Sequence, residues 1–209
     1  MRSTVKQFIQ GCDTCQRCKT AMMRPAGLLQ PLAIPEKIWT NICIDFIEGL
    51  PTSQGYTVIM VVVDRLSKYA HFVPLKHPFI ALMVGKAFLS HIVKLHGVPR
   101  SITSDRDKVF ISAFWKTLFQ MLGTSLCMSS SYHPQTDGQT EVVNRTLEQY
   151  LRCFAHDQPK NWLDWLAWAE YSYNTTVHSA TRLTPFEAVW HSSTQFALIC
   201  YRNYKGAVS

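Results

Sequence analysis

The sequence predicts an α/β domain with a mixed five-stranded sheet and helices on both faces. Three observations predict it. Three strand-like runs, 39–47, 56–64 and 68–75, follow one another with short polar links. Between 78 and 128, two segments with helical spacing alternate with two short strand-like runs. The chain has 209 residues, 47% apolar and 17% charged, which suits one packed core of moderate size and excludes wholesale disorder.

The first 30 residues form an appendage with five basic side chains, Arg2, Lys6, Arg17, Lys19 and Arg24, and one acid, Asp13. Within it "CDTCQRC" sets Cys12, Cys15 and Cys18 three apart. A C-x2-C turn lets two thiolates face one Zn²⁺, but a closed site takes four ligands. No His precedes His71. Cys12 and Cys15 are therefore either half of a zinc site or an orphaned pair. "GLLQPLAIPEK" carries two prolines and reads as a linker, with 31–38 leading into the main domain.

"WTNICIDFI" is the first strand of the domain, and "YTVIMVVVD" is apolar enough for the inside of a sheet. "KYAHFVPL" is the third, with Pro74 suited to an edge or a strand end. Short links make these three an antiparallel meander. The segment 78–97 has apolar residues at 84, 87, 88, 92 and 95, a helical spacing stopped by Gly97 and Pro99. "RSITSD" is a fourth strand, 112–123 a helix capped by Ser112 and closed by Gly123, and "TSLCMSS" a fifth strand. A polar loop, 129–140, leads into a helix from about Gly138 to Asp157. Val143, Leu147, Tyr150, Leu151 and Phe154 form its apolar stripe, and Glu141, Arg145, Glu148 and Arg152 share another face. A last helical region, "NWLDWLAWAEYSYN", spaces Trp162, Trp165 and Trp168 three apart, which favours packing over base stacking.

The charge balance of 21 basic to 14 acidic side chains, +7 with pI about 9.1, favours a polyanionic partner such as nucleic acid. No apolar run is long enough to cross a bilayer, and the N-terminus lacks the apolar stretch of a signal peptide. Seven cysteines, an odd number, then read as reduced thiols of an intracellular protein, nuclear or cytoplasmic.

Three carboxylates carry the expected chemistry. Asp45 is charged inside the apolar run "ICIDFI", where an acid needs a partner or a metal. Asp105 ends the fourth strand, at the edge where doubly covered sheets present groups to ligands, with Asp107 a rival in the same turn. Asp64 competes with Asp45. The first strand is expected to pair with the fourth, so Asp45 falls beside Asp105, and Asp64 becomes a turn residue beside Arg65 and Lys68. Glu141 opens the helix 35 residues after Asp105. Such a trio of acids can hold two Mg²⁺ ions about 4 Å apart for in-line phosphoryl transfer on a nucleic-acid backbone. His71, His77, His91 and His96 are scattered and are assigned no metal.

"WTNICIDFIEGLP", "VVVDRLSKYAHFVP", "HGVPRSITSDRD", "SSYHPQTDGQTEVVNRTLEQYLR" and "YNTTVHSATRLTPFEAV" together resemble the catalytic core of retroviral-type integrases, specifically those of gypsy-like long-terminal-repeat retrotransposons. The resemblance covers residues 39–190. It implies an RNase H-like fold, Mg²⁺ or Mn²⁺ as cofactor, and joining of retroelement DNA ends to target DNA by a multimer. By match to the family motif, Asp45, Asp105 and Glu141 are the metal ligands and catalytic acids. Asn144 and Arg145 match positions that face DNA. Gly138 becomes a hinge, and Tyr132 or His133 either touches DNA or packs within the loop. Residues 1–30 would be the remnant of a zinc module that in the family carries two His before its two Cys, and 191–209 a C-terminal tail. His191 stands where the family usually has Gly. Two rival readings remain open: a nuclease on the same fold, and a non-catalytic DNA-binding or assembly protein of integrase descent.

Overall fold

The computed structural model describes residues 2–18, 35–104, 111–128, 135–179 and 181–190, without the side chains of 2, 15, 17, 18, 128 and 135–139. Two short helices, α1 (Arg2–Gly11) and α2 (Asp13–Cys18), precede the sheet. The sheet strands are β1 (Asn41–Ile47), β2 (Val58–Asp64), β3 (Ala70–Leu75), β4 (Ser101–Ser104) and β5 (Ser125–Met128). Their order is β3-β2-β1-β4-β5. The first three form the expected antiparallel meander, and β1–β4 and β4–β5 are parallel.

Strand alternation divides the core between the two faces. Even-numbered Val58, Met60 and Val62 of β2 pack with Ile42, Ile44 and Ile102 on one side. That side is covered by α3 (Ala81–Phe88) through Val84 and Phe88, and by α4 (Ala113–Leu122) through Trp115 and Phe119. Gly85 lets these helices approach, since a Cβ there would lie 3.0 Å from the Phe114 ring. Odd-numbered Ile59, Val61 and Val63 face the other side. There α5 (Gln135–Phe154) packs with Val143, Leu147 and Leu151, and α6 (Trp162–Thr175) with Trp162, Leu166 and Ala169. Trp162 also donates its indole N–H to the Pro51 carbonyl at 2.6 Å. A spacing of three retreats about 60° round a helix per step. Trp162 is therefore buried, Trp165 lies against Phe154, and Trp168 is exposed.

Three local findings differ from expectation. The helix after the polar loop begins at Gln135, so it runs through Gly138 and holds Glu141 in its second turn. The 81–96 helix contains a π turn at Leu89–Val93 before its last turn at Lys94–His96. The extra residue in that turn rotates Leu95 out to 61% exposure and brings His96 round to the inner face. A final helix, α7 (Pro185–Trp190), starts with Thr184 and Glu187 capping each other's backbone N–H region, Thr184 N–H to Glu187 Oε2 at 2.9 Å and Glu187 N–H to Thr184 Oγ at 3.0 Å.

Candidate active site

Asp45 lies on the odd-numbered face of β1, the face covered by α5. Its Oδ1 accepts the Phe46 N–H at 2.9 Å, and its Oδ2 accepts the Asn144 amide N–H at 2.6 Å. A carboxylate inside an apolar strand is thus half-buried and hydrogen-bonded across to a helix. The Asn144 bond has a charged acceptor, a class with a net contribution of roughly 1.5–3 kcal/mol. It fixes α5 against the C-terminal half of β1.

Parallel β1 and β4 run in register from Asn41–Ser101 to Ile44–Ser104. The last paired residues, Ile44 and Ser104, immediately precede Asp45 and Asp105 in the sequence. Asp105 itself, its rival Asp107, and Tyr132 and His133 lie outside the described residues.

Glu141 stands one turn before Asn144 on α5, with its side chain 65% exposed. It pairs with Arg145 at 2.7 Å, and Glu148 pairs with Arg152 at 3.1 Å one turn on. The four charged residues therefore share one face as two i,i+4 pairs. Each such exposed pair is worth only about 0.3–0.5 kcal/mol, so Arg145 leaves Glu141 at small cost.

The oxygens on these two elements are those of the Asp45 carboxylate with the Asn144 amide against it, and of the Glu141 carboxylate one turn earlier on α5. Asn144 Oδ1 is buried without a hydrogen-bond partner, beside Asp45. Hard oxygen donors with an unsatisfied position fit Mg²⁺ or Mn²⁺. No group of three or more His, Cys, Asp or Glu stands ready-made for a metal among the described residues. Cys12 lies half-buried between α1 and α2, and the Cys15 side chain is outside the described set.

Asp64 is fully buried. Its Oδ1 accepts the Trp39 N–H at 2.8 Å, and its Oδ2 accepts the Ser67 N–H at 2.8 Å and hydroxyl at 2.6 Å. Burial raises its carboxyl above the ordinary range, against the lowering effect of these bonds. It joins the turn before β1 to the turn after β2, a structural role away from Asn144.

The scattered histidines conceal one more cluster. His71 Nδ1 lies 3.0 Å from Glu170 Oε1, and His71 Nε2 lies 2.8 Å from His96 Nε2. Trp39 stacks on His96, with ring centroids 3.6 Å apart and planes nearly parallel. The imidazole centroids are 5.1 Å apart, the separation of two rings meeting nitrogen to nitrogen in line. In-line lone pairs share a proton; they do not converge on a metal.

No protein-family model matches the chain. Over 189 residues, 90% of its length, it is 39% identical to the Transposon Tf2-3 polyprotein of Schizosaccharomyces pombe (strain 972), and equally to the Tf2-4 polyprotein. It spans only 14% of the length of these relatives. Among solved structures, the simian T-cell lymphotropic virus intasome in complex with PP2A regulatory subunit B56 gamma matches with a TM-score of 0.63 at 18% identity, over 92% of this chain and 67% of that one. The HTLV-2 integrase catalytic core in complex with magnesium (trimeric form) matches with a TM-score of 0.58 at 18% identity, over 74% of this chain and 96% of that one. The fold is therefore the RNase H-like fold of retroviral integrase catalytic cores. By sequence, the chain is homologous to one segment of the Tf2 transposon polyproteins.

Proposed function

We propose that the chain is the catalytic core of an integrase of a gypsy-like retrotransposon, a polynucleotidyl transferase that joins element DNA ends to target DNA. The observation that carries this reading is the 2.6 Å bond from Asn144 to Asp45, which draws the helix bearing Glu141 onto the strand bearing Asp45. Asp45, Asp105 and Glu141 would hold Mg²⁺ or Mn²⁺. Two such ions, when bound, would supply activation of the attacking oxygen and neutralise charge on the phosphate. Asn144 orients the Asp45 carboxylate. Arg145 exchanges its exposed pair with Glu141 for a DNA phosphate. The +7 charge favours that partner. In this reading residues 39–190 are the core, 1–30 retain the zinc-module remnant with Cys12 and Cys15, and 191–209 form a tail. The assembly is a homo-oligomer acting in the nucleus or in the cytoplasm. No helix among the described residues is long and apolar enough to cross a membrane.

A labelled branched DNA that mimics a joined end tests the reading, with Mg²⁺ or Mn²⁺ and with Glu141→Gln beside the wild type. Metal-dependent strand breakage and rejoining, lost in the variant, is the expected result. Cleavage without rejoining would assign a nuclease. Unchanged DNA binding with no reaction by folded wild-type protein would assign a binding-only descendant.

A further inference from the structure

The turn between β1 and β2 is held more firmly than a surface loop ordinarily is. Ser53 and Tyr56 exchange both backbone hydrogen bonds, at 2.9 and 2.8 Å. Between them Gln54 and Gly55 have φ of 50° and 85°, the left-handed pair that a type I′ turn requires. Hydrogen bonds fasten this turn to α6. The Gln54 amide donates to Asp164 at 2.8 Å, the Trp162 indole to the Pro51 carbonyl at 2.6 Å, and the Leu163 N–H to Ser53 Oγ at 3.4 Å. The fastened turn presents the Tyr56 ring, and exposed Lys76, the residue after β3, lies over it. Lys76 Nζ is 5.1 Å from the ring centroid, and its chain passes Gly55, where a Cβ would lie 3.7 Å from Cε. A ring attracts an ammonium without cancelling its charge. Arg145 and Arg152 differ, since carboxylates at 2.7 and 3.1 Å neutralise them. Lys76 is a cation aimed in advance that keeps its charge.

The register of the sheet puts this cation at the end where Asp45 lies. β1 and β3 both run antiparallel to β2 and so point the same way. Asp45 pairs with Val61, and Val61 with Phe72. Lys76 therefore stands four residues beyond the level of Asp45 and two strands across. At about 3.3 Å per residue and about 4.8 Å per strand, the two Cα atoms are roughly 16 Å apart. One strand of duplex DNA carries a phosphate about every 3.4 Å along its axis. A strand whose reacting phosphate sits at Asp45 thus brings another phosphate to Lys76 about four or five nucleotides away. We infer that Lys76 is a positioning residue for that strand, seated by Tyr56 on the turn that α6 fixes. The inference rests on the integrase reading of the Asp45–Glu141 site. One side of the ammonium stays on the ring, and its outward N–H groups donate to the phosphate.

Fluorescence anisotropy on the labelled branched DNA, over a salt series without metal, tests this with the full chain and its variants Lys76→Gln and Lys76→Arg. Lys76→Gln should bind severalfold more weakly, with a salt slope shallower by about one. In the joining assay it should raise KM and leave kcat unchanged, because the contact serves binding alone. Lys76→Arg should restore slope and KM, since a guanidinium also sits on a ring and holds a phosphate. Neutral methylphosphonates at about the fourth and fifth phosphates from the joint should abolish the difference between wild type and Lys76→Gln. An unchanged slope in Lys76→Gln overturns the inference. So does an arginine variant as impaired as the glutamine one, which would assign Lys76 to packing of the turn, or a difference that survives the methylphosphonates. A wild type that binds DNA but never joins it overturns the catalytic reading instead, and the slope still decides this one.

Discussion

Asn144 has one amide N–H on the Asp45 carboxylate and a buried oxygen without a partner. Replacing it by Asp would set a second carboxylate against Asp45, and like charges at that separation disfavour joint ionisation. Asn144→Asp should melt below the wild type in chelator at neutral pH, and Mn²⁺ should raise its melting temperature more than that of wild type. An equal shift in both proteins would argue against a cation between β1 and α5. Asp45 and Glu141 stand out in the sequence as acids among apolar or motif residues. The contact of Asn144 with Asp45 does not, because 99 residues separate the two and no local period encodes it. The His71–His96 pair was hidden for another reason. Helical spacing assigns Leu95 to the core, and only the π turn brings His96 inward instead. Burial, then the neighbouring His71, hold the His96 imidazole down at about 4 from an ordinary 6.5. The folded state thus binds fewer protons than the unfolded state between these values. Its contribution is complete above about pH 6.5 and is lost as pH falls through about 4. The groups facing the pair are Glu170 of α6 and Tyr69, the residue just before β3. Asp64, whose carboxyl is raised, tilts stability the opposite way in acid. The test therefore compares variants at matched pH. Urea midpoints should fall less between pH 7 and pH 4.5 in His96→Gln than in wild type.

At the level of elements, the free edge of β3 is closed by one helix face. Asn174 accepts the Ala70 N–H at 2.9 Å and donates to the Ala70 carbonyl at 2.8 Å. Four residues earlier on α6, Glu170 accepts the Phe72 N–H at 2.8 Å. One helical turn matches two strand residues in rise, so the two side chains meet alternate edge amides. The next amide in the row belongs to Pro74, which has no N–H. Edge strands left open template aggregation, and this one is silenced at three successive positions. Asn174→Ala would leave both Ala70 groups without partners in a buried setting. It should cost about 1–3 kcal/mol, read as a lower urea midpoint, with faster hydrogen exchange at Ala70. An unchanged midpoint would mean that water or a neighbour replaces Asn174. Pro74 signalled the edge from sequence alone. The helix that covers it carried no such signal, since Glu170 and Asn174 read as ordinary polar residues among tryptophans. The short α7 was legible in principle: "TPFE" has a Thr cap, Pro at the first helical position and Glu three residues after the cap.

For the whole molecule, the order of strands was legible because connection lengths leave few topologies for three linked strands and two crossovers. Charge distribution was less so, since +7 says nothing of which face carries it. Exposed Arg145 and Arg152 are neutralised by acids one turn away on α5, so on the proposed function that face would attract DNA only when those pairs open. Opening costs little, and each phosphate contact then releases condensed counterions. DNA affinity should accordingly drop on the order of tenfold or more between about 50 and about 200 mM salt. Glu141→Gln removes the acid that holds Arg145 and leaves the guanidinium free. It should bind DNA at least as tightly as wild type without metal, with an equal or steeper salt slope, while losing strand transfer. Fluorescence anisotropy over a salt series measures both quantities. A variant that bound more weakly, with a shallower slope, would mean that Glu141 positions Arg145 on the phosphate instead of restraining it. The two roles predict opposite signs, because a restraining acid competes with the phosphate for one guanidinium, whereas a positioning acid shares it.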